Sequence, residues 1–202
     1  MTLVFDDGYE SWIDASKILE EYDWRGTFYT CLRNLVHIRK DARQKMFPDD
    51  QVITWNEVKD IQLRGHEIAN HGTRHIDLNL CNKMEKWMEM VASKKVFTSM
   101  GIDVETYGCA FNAYDKETLE LGLKHYPSFR NWLGVNTVPV TEPVYSVLRA
   151  GEAYEEASTG DNKWVLSTWH DVDLVKFKRY LDKVKELNIE VKTVRWMYAN
   201  AS

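Results

Sequence analysis

Short apolar runs alternate along this chain with stretches whose apolar positions recur at spacings of three and four. The first run, Leu3-Val4-Phe5, reads as a buried strand and breaks at Asp6-Asp7-Gly8. SWIDASKILEEYDW follows, with Trp12, Ala15, Leu19 and Tyr22 on one face of a predicted helix, and Gly26 as its stop. TFYTCL is the second predicted strand. Residues 36–51 show no clean period and are expected to form a long loop bordering a functional cleft. WNEVKDIQLRG is a helix ending at Gly65, and EIAN a short strand.

KMEKWMEMVASKKVFTSMG is expected as one long helix carrying Met84, Trp87, Met88 and Val91 inward, with Gly101 past its end. VETYGCAF reads as a strand and DKETLELGLKH as a helix capped by Asp115. FRNWLGV, VYSVLRA and KWVLSTWH are candidate strands. DLVKFKRYLDKVKELN places Leu174, Phe177, Leu181 and Val184 on one helical face, and IEVKTV is expected to close the chain as a strand. Strand and helix thus alternate almost throughout, which predicts an α/β fold with a mainly parallel sheet. In such folds the chemistry sits at the C-terminal ends of the strands.

Three of those ends carry suitable groups. Asp6 and Asp7 follow the first strand. His71 and His75, four apart, follow EIAN, so both imidazoles can reach one ion. His170 ends KWVLSTWH. Two histidines and one carboxylate form a set that suits a divalent metal with open positions. One aspartate of the pair can ligate that ion while the other takes a proton from water. Gly8 lets the chain leave the pleat, so both carboxylates can face one site, and a cation there offsets their repulsion. A histidine at position 170 can protonate a leaving amine; the plainer reading is a strand-end histidine bonded to Asp171 or Asp173.

Composition narrows the partners. The 202 residues fit one domain, 1–202, with 44% hydrophobic and 28% charged residues. A formal net charge of −5 argues against nucleic acid. Cys31, Cys81 and Cys109 lack metal or disulfide spacing and read as small buried hydrophobes. No apolar stretch is long enough to span a bilayer and no signal peptide is apparent, so the chain reads as cytoplasmic, or as a mature or trimmed extracellular domain. Eight tryptophans and ten tyrosines supply rings that can stack on sugar faces, although most such rings serve cores. Oligomeric state is not legible.

LVFDDGY, GHEIANHGTRHIDL and VLSTWHDV, in that order, resemble the polysaccharide deacetylase family, the carbohydrate esterases that include chitin, peptidoglycan and xylan deacetylases. The likeness runs over nearly the whole chain. It implies a distorted, incomplete (β/α) barrel and hydrolysis of an N-acetyl or O-acetyl group. It implies Asp6 as catalytic base, Asp7, His71 and His75 as ligands of one divalent ion, and His170 as catalytic acid. Zinc leads as the ion, with cobalt, nickel or manganese as substitutes. It also implies the Phe111 backbone N–H as oxyanion donor. The implied substrate is an acetylated carbohydrate: polysaccharide, oligosaccharide or glycolipid.

Some positions depart from the family pattern. Gly72 stands for Ser or Thr, and Ile76 for proline. The third motif is CAFNAYD, with Ala110 in the proline position and Asn112 in the glycine position. The arginine that steadies the base and the aspartate that orients His170 are not visible. Two other readings therefore stand beside the first: a deformylase or amidohydrolase acting on a lipid-linked sugar or small cyclic amide, and a catalytically weak carbohydrate-binding domain.

Overall fold

The computed structural model describes residues 1–34, 52–131, 134–137, 146–149 and 165–200. The expected loop at 36–51 lies outside them. Eight strands make one sheet: β1 (Thr2–Asp6), β2 (Thr27–Thr30), β3 (Glu67–Asn70), β4 (Thr106–Gly108), β5 (Ser128–Asn131), β6 (Gly134–Thr137), β7 (Ser146–Arg149) and β8 (Val165–Trp169). Their order is β6-β5-β4-β3-β2-β1-β8-β7. Every pairing is parallel except β5–β6. The edge strands β6 and β7 approach each other, so the sheet curls toward closure without a ladder between them. This is the incomplete (β/α) barrel expected from the motifs.

The helices are α1 (Trp12–Glu21), α2 (Trp55–Leu63), α3 (Lys83–Trp87), α4 (Ser93–Ser99), α5 (Lys116–His125), α6 (Leu174–Glu186) and α7 (Val194–Asn200). Their starts follow ordinary capping chemistry. Thr54 and Glu57 form a capping box at α2, as do Asn82 and Glu85 at α3. Asp115 accepts the Thr118 N–H at α5, and Asp173 accepts those of Val175 and Lys176 at α6.

Strand alternation sorts the core. Leu3 and Phe5 of β1 face the helices, where Phe5 stacks on Phe28 and packs against Trp12 and Phe177. Val4, Tyr29, Ala69 and Leu166 form a separate cluster with Val194 and Met197 of α7. Near the strand beginnings, the buried Glu67 carboxylate accepts from Thr27 Oγ1 (2.8 Å), Thr106 Oγ1 (2.7 Å) and the Arg195 N–H at α7 (2.8 Å).

Three expectations are corrected. FRNWLGV is not one strand: it contributes to β5 and β6, which pair antiparallel. IEVKTV does not close as a strand. Its Lys192 N–H donates to the Met1 carbonyl, and a short helix, α7, follows. The β-branched residues there suggested a strand, but the Val194 N–H is taken by Thr27 Oγ1 and the Trp196 N–H by Thr193 Oγ1. The long helix buries Val91 and packs Trp87 against the core as expected, but otherwise turns a different face inward. Met84 and Met88 are exposed, whereas Lys86, Glu89, Met90, Val91, Ser93 and Phe97 are buried. Polar residues on that face hid it from a hydrophobic reading, and each finds a partner. Lys86 meets Asp115 and Glu117, Ser93 meets Asn70, and Glu89 meets the loop after β3. A π-helical turn at Met88–Ala92 widens the buried arc.

His66, just before β3, yields a pH prediction. Its Nδ1 accepts the Gly26 N–H at 3.1 Å, and Nε2 faces Glu20 Oε1 at 3.1 Å. Burial pushes its pKa from 6.5 down to about 4, against the opposing pull of Glu20. As pH falls, the unfolded chain therefore takes the proton first. Stability is complete above the unfolded value and is lost between pH 6.5 and about 4. The loss is on the order of 3 kcal/mol. Denaturant titrations across that range should show a shallower slope for His66→Gln than for the unaltered chain. Equal slopes would remove His66 as the cause.

Candidate metal centre and active site

The expected site residues converge at the C-terminal ends of the strands. Asp6 is the last residue of β1, His71 follows β3, Phe111 lies just past β4, and His170 follows β8. The backbone does unusual things here. Asp7 has φ 85° and Gly8 φ 91°, so the turn begins at the aspartate itself, one residue before the glycine that was expected to make it. The left-handed region disfavours side chains other than Asn and Asp, and Asp7 is of that tolerant kind. Its N–H donates to the Tyr29 carbonyl at 3.2 Å, which ties the turn to β2. The turn sends the two carboxylates to different partners.

Asp7 is 4% exposed, and its Oδ1 lies 2.8 Å from His75 Nε2 and 3.5 Å from His71 Nε2. His71 Nδ1 is 2.7 Å from the Gly108 carbonyl, which can only accept. His71 therefore carries a proton on Nδ1, and this contact orients the ring with Nε2 toward Asp7. Burial alone would raise the Asp7 pKa. The hydrogen bonds and charges of His71 and His75 outweigh it and hold the carboxyl well below its usual range. Burial pushes His75 down despite the pull of Asp7, which favours its neutral form. An ionised Asp7 and a His75 pushed toward its neutral form suit a divalent ion. The three donor atoms lie within 4.8 Å of one another, compact enough for one ion, and all three residues are buried. By donor type and spacing the set fits such an ion.

Asp6 has a different partner, which the motifs did not reveal. Arg130 Nη2 donates to both Asp6 oxygens, at 2.8 and 2.9 Å, and both residues are buried. The guanidinium also lies over the Tyr29 ring, 4.1 Å from its centre. Gly108 makes the room: a Cβ there would stand 3.0 Å from Arg130 Nη2 and 2.7 Å from the Tyr29 ring. The arginine sought in the third motif is thus supplied by the next strand, β5. Its one signal was a lone arginine between Phe129 and Asn131 inside a predicted apolar strand.

His170 is exposed, with Nε2 3.9 Å from Asp7 Oδ2. Asp171 and Asp173 bond elsewhere. Asp171 accepts from Ser11 Oγ at 2.9 Å, and Asp173 caps α6. The His170 carbonyl accepts from Trp12 Nε1 at 3.3 Å, which anchors the backbone while leaving the ring toward the site. Phe111 sits in a 3₁₀ turn with φ 56°. The next two amides close that turn, Asn112 N–H on Cys109 O and Ala113 N–H on Ala110 O. The 52%-exposed Phe111 ring lies edge-on to His75, with centres 4.7 Å apart. Half-buried Tyr9 also lies beside the cluster, and the Tyr29 ring lies edge-on to His71, with centres 6.1 Å apart. The Tyr9 hydroxyl pKa is pushed up to about 12 by burial, then by Asp7 and Asp171. Several tryptophans expected as possible sugar platforms instead pack on the core: Trp12, Trp24, Trp55, Trp87 and Trp169.

Known proteins share this fold. Residues 1–125 match the family model described as polysaccharide deacetylase. The Bacillus subtilis (strain 168) protein YxkH, which carries the polysaccharide deacetylase name, is 26% identical over 124 residues, 60% of this chain and 40% of its own length. The matched stretch thus spans well under half of that relative. Among solved structures, the Xyl-CE4 domain of a multidomain xylanase from the hindgut metagenome of Trinervitermes trinervoides aligns with TM-score 0.65 at 18% identity, covering 99% of this chain and 89% of that one. BA3943, a CE4 family pseudoenzyme from Bacillus anthracis, aligns with TM-score 0.68 at 12% identity, covering 98% and 65%. At these identities the likeness is one of fold. No helix among the described residues is long and apolar enough to cross a membrane.

The Asp6–Arg130 pair predicts a stability effect. Arg130→Met leaves Asp6 buried without its cation and should cost about 3–5 kcal/mol. Adding Asp6→Asn should restore part of that loss. Urea titrations of the two single variants and the double variant measure the coupling. Strictly additive losses would show that the pair does not act as a unit.

Proposed function

The chain belongs to the polysaccharide deacetylase family, and from that membership we propose that it is a metal-dependent hydrolase removing the acetyl group from an N-acetylated amino sugar. The substrate is a polysaccharide, an oligosaccharide or a glycolipid. The carrying observation is the buried set of Asp7, His71 and His75, with His71 pinned through Nδ1 to the Gly108 carbonyl. In this reading those three residues hold one divalent ion, zinc in the first instance. When bound, such an ion polarises a carbonyl and acidifies water.

The remaining residues divide the other work. Asp6 accepts a proton from the attacking water. Arg130 keeps its carboxylate aimed through two hydrogen bonds, from a guanidinium that remains charged throughout the working pH range. The Phe111 N–H, at the exposed turn beside His75, donates to the oxygen on which negative charge develops. His170, reachable from solvent and near Asp7, gives its proton to the departing amine. Tyr9 and the Phe111 ring border the cluster and offer apolar faces to a sugar ring. An ion pair at Asp6 favours this reading over a domain kept for carbohydrate binding alone, which has no use for an aimed base.

Acetate release from a chito-oligosaccharide, with zinc or cobalt added and with the metal stripped, tests the proposal. Turnover should depend on metal. Binding of the oligosaccharide without turnover in either sample would favour the binding domain, and turnover of small cyclic amides alone would favour the amidohydrolase. The aspartates should differ in kind. Asp6→Asn should keep the metal and lose about 10²–10⁴-fold in rate. Asp7→Asn should lose metal affinity, with activity returning in part at high metal concentration. His170→Ala should slow turnover while metal content stays unchanged. Metal analysis and rates for the three variants decide the roles. Metal loss in Asp6→Asn with retention in Asp7→Asn would reverse the two aspartates.

A further inference from the structure

The loop that carries His71 and His75 is not a helix. Gly72 has φ 92° and His75 φ 56°, so two of its five residues lie in the left-handed region. Such a loop keeps its shape only when surrounding groups hold it. On one side the amides of Leu32 and Arg33 donate to the carbonyls of Gly72 (2.9 Å) and Thr73 (2.8 Å). At its start the Gly72 N–H donates to Asn70 Oδ1 at 2.8 Å.

On the other side stands a single carboxylate, Glu89. It is 1% exposed and comes from the π-helical turn Met88–Ala92. Its Oε2 accepts the N–H groups of Thr73 (2.8 Å) and Arg74 (2.9 Å), and its Oε1 accepts Arg74 Nε (2.7 Å). Thr73 Oγ1 adds a bond to the Met88 carbonyl at 3.0 Å. Two consecutive amides between the two histidines thus converge on one oxygen. A Cβ at position 72 would stand 2.9 Å from that same oxygen. A side chain on the loop at 72 and the carboxylate of Glu89 therefore compete for one place.

We propose that Glu89 is a positioning residue of the metal centre. Its carboxylate, supplied from outside the loop, sets the curvature that brings His71 and His75 to one ion, in a space that Gly72 leaves open. Glu89 acts through the backbone of Thr73 and Arg74 and does not touch the ion. The π-turn matters because its wider arc buries Glu89 together with Met90 and Val91. The inference rests on the metal reading above, and the test separates the two.

Zinc affinity is measured by chelator competition, and the absorption spectrum of the cobalt-loaded protein is recorded, for the unaltered chain, Glu89→Gln, Glu89→Ala and Arg74→Ala. Glu89→Gln offers one acceptor oxygen where two served, and turns an NH₂ toward groups that are themselves donors. It should weaken zinc binding about 10-fold and change the cobalt band intensities, an effect on ligand geometry that a loss of stability elsewhere would not produce. Glu89→Ala should weaken binding about 100-fold if it folds; Glu89→Gln decides the matter if it does not. Arg74→Ala keeps both backbone bonds and should stay within about 3-fold of the unaltered chain. Tight zinc binding by the unaltered chain with the same affinity and cobalt spectrum in Glu89→Gln would overturn the role of Glu89. Failure of the unaltered chain to bind zinc would instead overturn the metal reading itself.

Discussion

Two adjacent aspartates, both buried, set the terms for this site. Asp6 and Asp7 are 6% and 4% exposed. Like charges one residue apart in a low-dielectric interior repel strongly, and each loses its hydration. The structure gives each its own compensation. The positive φ at Asp7 turns its carboxylate to His71 and His75, while Asp6 stays on the strand and meets Arg130. Four elements are committed by that division: β1 supplies the pair, the loop after β3 the imidazoles, β5 the guanidinium, and β4 the carbonyl that fixes the His71 tautomer. A parallel sheet makes it possible, because it brings all these strand ends to one side.

Space for the compensating groups comes from missing side chains. Gly108 leaves room for the Arg130 guanidinium against Tyr29, and Gly72 leaves room for the Glu89 carboxylate. In both cases a polar group that a local motif could have carried arrives from another element. Arg130 lies 124 residues from Asp6, and Glu89 lies 15 and 16 residues from the amides it holds. A motif that looks depleted when read along the chain is thus refilled in space. The altered third motif has lost a local arginine position without leaving Asp6 alone.

The same fact explains what could be read in advance. Strand ends carrying Asp6, Asp7, His71, His75 and His170 were legible because ligation and proton transfer demand particular residue types, and parallel topology demands that place. EIAN and the helix start at Asp115 were legible because strand patterning and capping are local. Arg130 was not, since one charged residue in a short strand carries no mark of whether it points inward. The buried face of the helix at Lys86, Glu89 and Ser93 was misread for a related reason. Apolarity signals burial only when polar residues stay outside, and here each inward polar side chain has a partner from elsewhere. The helix at Val194–Asn200 was missed because what holds its first turn, Thr27 and Glu67, lies far upstream.

The cost of the Asp6–Arg130 pair bears on what the site is for. Burying two charges forfeits several kcal/mol of hydration per ion, and apolar residues of similar volume would often serve stability equally well or better. Stability is therefore a weak reason for placing a guanidinium against Tyr29 to hold one carboxylate. A reaction that needs an aimed proton acceptor beside the Asp7–His71–His75 set, as proposed above, is a stronger one, because an acceptor free to rotate would be of little use there. The fold neighbours include a pseudoenzyme, so fold alone does not carry this conclusion. What supports it is the buried Asp7–His71–His75 set, with the Asp6–Arg130 pair beside it.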